Sequence, residues 1–251
     1  MRFRSYILCT SPRSGSTLLC KLLSATGVAG NPGSHFHEPS IDAWLDDYCL
    51  SDNSQEPEKT KLRRIFKAAI ARGSNDTGVF GLRLQRHSFD FFMEKLAILH
   101  PGAQSARERL EAAFGPTLFV HLTRPDKVAQ AVSYLKAEQT GLWHRAPDGR
   151  ELERLAPPAE PEYDGEALGN YVKMLEGYDR QWCDWFELEA IEPMRIRYDD
   201  LSADPAGQLA SILAALGLDP AKANGVVPGT ARLSDETSRE WADRFRLEQG
   251  L

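Results

Sequence analysis

Residues 7–23, ILCTSPRSGSTLLCKLL, combine residue types that bind an oxyanion with a pattern that would position them. An apolar run gives way to a short polar turn, which leads into a stripe of leucines. The turn supplies one guanidinium, three hydroxyls and one glycine, from Arg13, Ser14, Gly15, Ser16 and Thr17. Backbone N–H groups at a strand–turn–helix junction point at a common centre, and the helix dipole adds positive charge there. These residues therefore predict a cradle for a phosphate or sulfate group, to which Arg13 adds a charge-assisted hydrogen bond.

The turn departs from the phosphate-binding loop of nucleoside-triphosphate enzymes. The pattern G-x-x-x-x-G-K-[ST] would place Gly at Thr10 and Lys at Ser16. The lysine of that pattern reaches the β- and γ-phosphates, and its Ser or Thr holds Mg²⁺. A loop with Arg and without this lysine fits a donor that has no γ-phosphate. An ordinary polar strand–helix turn is the alternative interpretation, because Ser, Gly and Pro are common in turns.

A second candidate site lies in residues 121–137, HLTRPDKVAQAVSYLKA. A strand is predicted to end at Arg124, and Pro125 is predicted to open the next helix. Ser133 follows about two helical turns later. A phosphate beside the first turns of this helix would contact both Arg124 and Ser133. The alternative interpretation is a surface arginine and a solvated serine.

Alternating strand and helix patterns predict an α/β fold, in which helices flank a mainly parallel sheet. The predicted strands cover residues 5–10, 77–85, 116–124 and 192–201. The predicted helices cover residues 16–27, 41–50, 57–73, 88–100, 104–115, 125–139, 168–189 and 204–220. Ligands of open α/β sheets bind beyond the carboxyl ends of the strands, where both candidate sites fall. Arg83, near the end of the second strand, brings another charge to this edge or forms a structural ion pair.

The chain of 251 residues is predicted to form a single domain. Its one loop-like segment covers residues 144–164 and is rich in Pro and acidic side chains. A segment of this length and composition forms either a lid over the site or a plain surface excursion.

Composition excludes several classes of protein. The formal net charge of −6 argues against a nucleic-acid binder, which needs excess Lys and Arg to neutralise phosphates. The four cysteines show no zinc-site spacing, so no metal centre is expected. No apolar run reaches the length of a membrane span, and the first run is too short for a signal peptide. We therefore expect a cytoplasmic protein without a transmembrane segment.

Together, the two sites resemble the sulfotransferase superfamily, and most closely the bacterial trehalose 2-sulfotransferase and lipopolysaccharide sulfotransferase-like family. SPRSGSTLL is similar to that family's first loop, and TRPDKVAQAVSYLKAEQTGLW is similar to its second element. LSATGVAGNP, IRYDDLSADP and TARLSDETSREWADRFR resemble further segments of the family. The resemblance runs from Ser5 to Arg246 and implies a P-loop-like sulfotransferase fold.

The resemblance also implies a reaction. The chain would move a sulfuryl group from 3′-phosphoadenosine 5′-phosphosulfate (PAPS) to a hydroxyl of a carbohydrate or glycolipid. The first loop, with Arg13, would hold the 5′-phosphosulfate, and Arg124 and Ser133 would bind the 3′-phosphate. No metal is expected, because this donor carries no triphosphate to bridge.

Further residues acquire roles from the same resemblance. Arg232 would be a phosphate ligand. Gln139 and Trp143 would contact the acceptor, because an aromatic face and an amide suit a polyol, although Trp143 alone is as well explained by packing. Arg83 is assigned to the substrate side because it lies at the sheet edge.

The expected catalytic base is the point at which this sequence departs from the family. The family has a Glu closely after G-x-P, but Gly33 and Ser34 stand there in GNPGSHFHEPS. His35, His37 and Glu38 are the available replacements, since a base must accept a proton within hydrogen-bond reach of the acceptor. Glu38 is slightly preferred, because it is the only carboxylate in this stretch.

Two other classes of function stay open at this point. One is a P-loop kinase, which the absent lysine and the lack of an evident Mg²⁺-binding Asp disfavour. The other is a catalytically silent nucleotide-binding module, which the missing Glu supports. The family resemblance also suggests a homodimer.

Overall fold

The computed structural model describes residues 3–53, 55–231 and 233–251. Its strands are β1 Ser5–Thr10, β2 Phe80–Gln85, β3 Thr117–Thr123, β4 Leu142–Arg145, β5 Glu151–Arg154 and β6 Met194–Arg197. Its α-helices are α1 Ser16–Ala25, α2 Ile41–Asp47, α3 Glu58–Ser74, α4 Arg86–Leu99, α5 Ala106–Phe114, α6 Lys127–Thr140, α7 Gly165–Leu188, α8 Tyr198–Ala203, α9 Pro205–Leu216 and α10 Glu236–Gln249.

Four strands form the central sheet in the order β2-β1-β3-β6, and all pairs are parallel. Strand β1 is buried on both faces. Ile7 and Cys9 pack into one apolar core with the aromatic side chains of α3, α4 and α7. Tyr6 and Leu8 pack into a second core with α1 and α9. Helices thus cover both faces, as expected for parallel strands, and the predicted α/β fold is confirmed.

The carboxyl ends of the four strands lie at one edge of this sheet. Thr10 at the end of β1 is in register with Gln85 at the end of β2 and with Leu122 near the end of β3. The loop that carries Arg13 and the residue Arg124 therefore leave neighbouring strands at the same edge. This juxtaposition is what the sequence pattern predicted.

Most predicted boundaries differ from the observed ones by a few residues, and two of these differences lie at the carboxyl ends of the strands. Pro125 does not open the helix, because Asp126 is the N-cap and its side chain accepts a hydrogen bond from Ala129 N at 2.9 Å. A side-chain acceptor at the N-cap stabilises a helix start, and here it sets the first turn two residues later. The predicted strand 192–201 ends at Arg197, and Tyr198 already begins α8.

The segment predicted as a loop contains a two-stranded antiparallel hairpin, β4–β5. The end of this segment is held by Gln139. The Gln139 side-chain amide donates to Glu162 O at 3.0 Å and accepts from Glu162 N at 2.9 Å. Ala231 N donates to Arg145 O at 2.8 Å and so joins the chain before α10 to the hairpin. Within the described part of the chain, every helix is too short or too polar to span a bilayer.

Candidate active site

The turn between β1 and α1 has the backbone shape that an anion cradle requires. Gly15 has φ 89°, in the left-handed region, and α1 begins at Ser16. A Cβ on Gly15 would lie 2.5 Å from the ring of Tyr198, so only glycine fits beneath that ring. The N-terminal turn of α1 therefore faces the cleft with its N–H groups, where the helix dipole favours negative charge.

Arg13 joins the two predicted sites. Its Nε donates to Ser133 Oγ at 3.0 Å, and its Nη1 donates to Trp143 O at 2.6 Å. Its backbone is strained, with φ 61°, which is uncommon for a residue with a Cβ and concentrates at functional sites. Burial, and then the charge of Arg124, lower the pKa of Arg13 to about 10, so it stays charged at neutral pH.

Arg124 lies directly behind this cradle. It is 8% exposed, its Nη1 donates to Arg13 O at 3.4 Å, and its guanidinium lies 4.7 Å from the ring centroid of Tyr198. The ring of Tyr198 thus supports both Arg124 and Gly15. This Tyr belongs to IRYDDLSADP, a segment that resembles the family, and the packing of its ring is the structural reason for its presence.

Arg83 brings a third guanidinium to the same place. Its Nε donates to Ser34 Oγ at 2.7 Å, and its Nη1 donates to Thr17 Oγ1 at 2.7 Å and to Ser16 Oγ at 3.5 Å. No carboxylate of the described chain contacts Arg83 or Arg13, whose partners are hydroxyls, a carbonyl and an aromatic ring. Locally positive charge therefore accumulates in a protein whose net charge is −6.

His144 is a site residue that the sequence did not predict. Its Nε2 lies 3.0 Å from Thr17 Oγ1 and 3.5 Å from Glu153 Oε2. Burial, and then the charges of Arg13 and Arg83, lower the pKa of His144 to about 3, so the imidazole is neutral at pH 7. A neutral imidazole lets the Thr17 hydroxyl accept from Arg83 and donate to His144. The local sequence offered no signal, because the hairpin brings this histidine to the cradle.

Other unpredicted residues hold the loop from behind. Gln130 Nε2 donates to Pro12 O at 2.6 Å, and Trp182 Nε1 donates to Thr10 O at 2.9 Å. Ser14, predicted as a ligand, is buried and shares a 2.5 Å hydrogen bond with Thr10, away from the cleft. Of the side chains predicted as ligands in this turn, those of Arg13, Ser16 and Thr17 belong to residues that line the cleft.

The three predicted bases occupy two environments. His35 is 7% exposed, stacks on Phe80 and bonds through Nε2 to Asn31 O at 3.2 Å. Burial lowers its pKa to about 4, and it does not line the cleft. His37 and Glu38 do line the cleft, with 47% and 64% of their side chains exposed. The structure thus brings two of the three to the site.

The remaining predicted site residues differ in whether they line the cleft. Trp143 lines the cleft, with its ring 5.8 Å from the Arg13 guanidinium. Gln139 does not line it, because its amide is taken by Glu162. Arg232 lies outside the described residues. Among the described residues no group of His, Cys, Asp and Glu has the arrangement of a metal site.

The cleft has a volume of ≈1650 Å³ and runs between the sheet edge, the hairpin and the chain before α10. A pocket for one small ligand usually measures about 300–1,000 Å³, so this cleft has room for two reactants. Its floor is cationic, and its walls carry both Trp143 and Glu38. Such a site can bind an anionic donor and place a second molecule beside it.

The chain was compared with known proteins. The model of the family Stf0 sulphotransferase matches residues 5–248. A trehalose 2-sulfotransferase of Mycobacterium tuberculosis is 30% identical over 262 residues, which cover 98% of this chain and 95% of that protein. A trehalose 2-sulfotransferase of Mycolicibacterium smegmatis is 29% identical over 263 residues, with 97% and 95% covered.

Solved structures give more distant similarities. A sulfotransferase from Alicyclobacillus acidocaldarius aligns over 99% of this chain and 92% of its own, with 15% identity and a TM-score of 0.45. A sulfotransferase domain from the curacin biosynthetic pathway aligns over 100% and 98%, with 16% identity and a TM-score of 0.49. The family match rests on the sequence and spans every element of the cleft, so the chain belongs to the Stf0 sulphotransferase family.

Proposed function

We propose that this chain transfers the sulfuryl group of PAPS to a hydroxyl of a carbohydrate or of a glycolipid head group. The observation that carries the proposal is the meeting of the two predicted donor segments, through Arg13 to Ser133 and Arg124 to Arg13. Like charges repel, so the clustering of Arg13, Arg83 and Arg124 is favourable when anions fill the cleft. PAPS is an anion at both of the ends that these residues would bind.

The residues present fit this donor. Ser16, Thr17 and the first N–H groups of α1 offer hydrogen-bond donors to the 5′-phosphosulfate, and Arg13 reaches the same point. Arg124 and Ser133 lie on the β3 side, where the 3′-phosphate would bind, and both line the cleft. Ser14, Gly15 and Arg232, which are also predicted donor ligands, are kept as part of this proposal.

The chemistry is a displacement at sulfur. A bond forms between the acceptor oxygen and sulfur, while the bond from sulfur to the bridging oxygen of the donor breaks. The electron pair of that bond leaves on adenosine 3′,5′-bisphosphate, and the hydroxyl proton goes to a base. Arg13 and the loop N–H groups stabilise the charge that develops on the leaving oxygen.

The proton acceptor belongs to the segment that the sequence suggested. Glu38 is our first choice and His37 our second, because both side chains reach the cleft and lie 3.8 Å apart. His35 is the weakest of the three candidates, because it is buried on Phe80 and faces Asn31. For His35 we propose a packing role behind the segment.

A sugar acceptor is supported by the relatives and by the wall of the cleft. The two relatives are named for transfer to trehalose, and Trp143 offers an aromatic face to a polyol. Gln139 would act on the acceptor through the chain at Glu162 rather than by contact. We propose trehalose or a related sugar as the first acceptor to test.

The proposal is tested by incubating the protein with PAPS labelled in the sulfuryl group and a panel of sugars that includes trehalose. We expect label in a sugar and an equal amount of adenosine 3′,5′-bisphosphate. Release of the bisphosphate without a labelled sugar, or no release at all, would contradict it. A thermal shift with the bisphosphate and no added metal then shows whether the donor site is intact.

One observation favours a second candidate, a silent nucleotide-binding module. Gly33 and Ser34 stand where the family has Glu, and the Ser34 hydroxyl accepts from Arg83 at 2.7 Å. Such a module would bind the bisphosphate in the thermal-shift assay and transfer label to no sugar. A P-loop kinase would instead respond to ATP with Mg²⁺, which we do not expect to bind.

On the family resemblance we also propose a homodimer, and from the composition of the chain we propose the cytoplasm as its location. Size-exclusion chromatography with light scattering measures the first, and fractionation of the source cell measures the second. A mass of one chain, 28.0 kDa, would contradict the dimer.

A further inference from the structure

Gln85 is a buried amide without a partner at the edge of the cleft. It is the last residue of β2, it is 7% exposed, and it lines the cleft. Its Oε1 is buried and accepts no hydrogen bond, and no described residue bonds its Nε2. Buried polar side-chain atoms nearly always have a partner, so this amide is an exception beside the cleft. Its Oε1 is closed to solvent in this conformation, so a ligand would bond it only when the side chain turns towards the cleft.

The chemistry of this amide selects the kind of ligand. An amide offers both a donor and an acceptor, whereas a guanidinium offers donors only. A phosphate or sulfate takes only donors, and Arg13 and Arg124 already provide them. An alcohol hydroxyl both donates and accepts, and therefore matches an amide. Gln85 thus suits the acceptor better than the nucleotide.

The position of Gln85 agrees with this choice. It is in register with Thr10, so it lies beside the start of the cradle loop. Strand β2 lies on the opposite side of β1 from β3, the strand that leads to Arg124. His87, two residues after Gln85, contacts His37 with ring centroids 5.1 Å apart, and Glu38 lines the same cleft. The proposed base and Gln85 thus share the β2 side.

We propose that Gln85 is a specificity-determining residue, whose amide hydrogen-bonds a hydroxyl of the acceptor sugar next to the one that is sulfated. The assignment rests on the proposed function. It goes beyond it by placing the acceptor at the carboxyl end of β2. An apolar side chain at position 85 would leave the recognised hydroxyl without a hydrogen-bond partner. Leaving one member of such a polar pair unpaired weakens binding strongly.

The test compares Gln85→Leu with wild type, using the sugar that the wild type sulfates, beginning with trehalose. We expect KM for the sugar to rise at least tenfold, while the affinity for adenosine 3′,5′-bisphosphate changes less than twofold. The Tm should stay the same or rise, because the substitution removes an unpartnered buried amide. Gln104→Leu, an exposed glutamine outside the cleft, serves as the matched control and should change none of these values.

Monodeoxy forms of the same sugar identify the contact. With the wild type, one of them should have a kcat/KM at least tenfold below that of the parent sugar. With Gln85→Leu, this deoxy sugar and the parent sugar should have the same kcat/KM. If Gln85→Leu keeps the wild-type KM, or if every deoxy sugar is equally affected in both proteins, the assignment is wrong. If the wild type sulfates no sugar but binds the bisphosphate, the proposed function fails and the assignment fails with it.

Discussion

The two sides of the cleft differ in how far their polar groups are already engaged. On the β1 and β3 side, Arg13 is hydrogen-bonded to both Ser133 and Arg124 without any ligand. On the β2 side, Glu38 is 64% exposed and Gln85 has no partner for its buried amide oxygen. The donor is the same in every reaction, so fixed groups suit it, because preorganised groups need no rearrangement during the reaction. Arg83, also on the β2 side, is hydrogen-bonded to Ser34 and Thr17, whereas Glu38 stays exposed to the cleft and available for the substrate.

Arg13→Ala would break the donor side most severely. It removes the guanidinium that we place on the transferring group, so we expect turnover to fall about 10³-fold, as for the loss of a strong oxyanion donor. Turnover with labelled PAPS measures this effect. Arg13→Lys is the matched variant and should recover only part of the rate, because lysine lacks the planar fork. Near-normal turnover in Arg13→Ala would remove this residue from the reaction.

Glu38→Gln would break the acceptor side alone. A lost general base costs about 10²-fold or more in rate. Binding of the bisphosphate, measured by titration calorimetry, should stay within twofold of wild type, because Glu38 lies outside the donor side. His37→Asn is the parallel variant. Should both variants transfer sulfate at the parent rate, the base is neither Glu38 nor His37.

Arg124→Ala tests which phosphate of the nucleotide Arg124 binds on the donor side. We expect adenosine 3′,5′-bisphosphate to bind roughly 10- to 150-fold more weakly, which corresponds to about 1.5–3 kcal/mol for a charge-assisted hydrogen bond. Adenosine 5′-monophosphate should lose little, since it lacks the 3′-phosphate. Titration of both nucleotides into the variant and the wild type provides the comparison, and equal losses would contradict the assignment.

His35 gives the smallest expected effect, and it appears in stability rather than in activity. Its pKa is about 4 in the folded chain, against 6.5 without burial, so below pH 6.5 the unfolded chain binds a proton that the folded chain does not. Stability is therefore lost as the pH falls from 6.5 towards 4, by about 1 kcal/mol at pH 5.5 from this residue.

The measurement is urea unfolding at pH 7 and pH 5.5 for wild type and His35→Asn. The variant should be less stable at both values, because a packed ring is lost, but its stability should change less between them. His121 and His144 have pKa values lowered by burial as well, so a pH dependence remains in both proteins. An identical pH dependence in the two proteins would show that His35 does not carry a lowered pKa.

The predictable part of the site is the part built from one continuous stretch of chain. The cradle needs a strand, a glycine and a helix in order, and residues 7–23 contain all three, so local pattern was enough. Arg124 could be placed because parallel strands align their carboxyl ends. Ser14 stays a predicted ligand, but its hydroxyl bond to Thr10 could not be predicted, because that bond depends on the backbone path and not on residue type.

The residues that escaped prediction depend on contacts between distant segments. His144 reaches Thr17 across 127 positions of sequence, and nothing near either residue encodes that approach. Gln85 looked like an ordinary strand end, because its lack of a partner is a property of its surroundings. The N-cap at Asp126 could have been predicted, because an Asp before a helix is a strong N-cap signal. The prediction used Pro125 as the helix start instead.

The division of the cleft is tested most directly by a crystal structure with adenosine 3′,5′-bisphosphate and the acceptor sugar bound together. We predict the 3′-phosphate within about 3.2 Å of Arg124 and Ser133, the 5′-phosphate in the turn after β1, and a sugar hydroxyl on Gln85. A nucleotide lying along the β2 side, or a sugar over Arg124, would contradict the account.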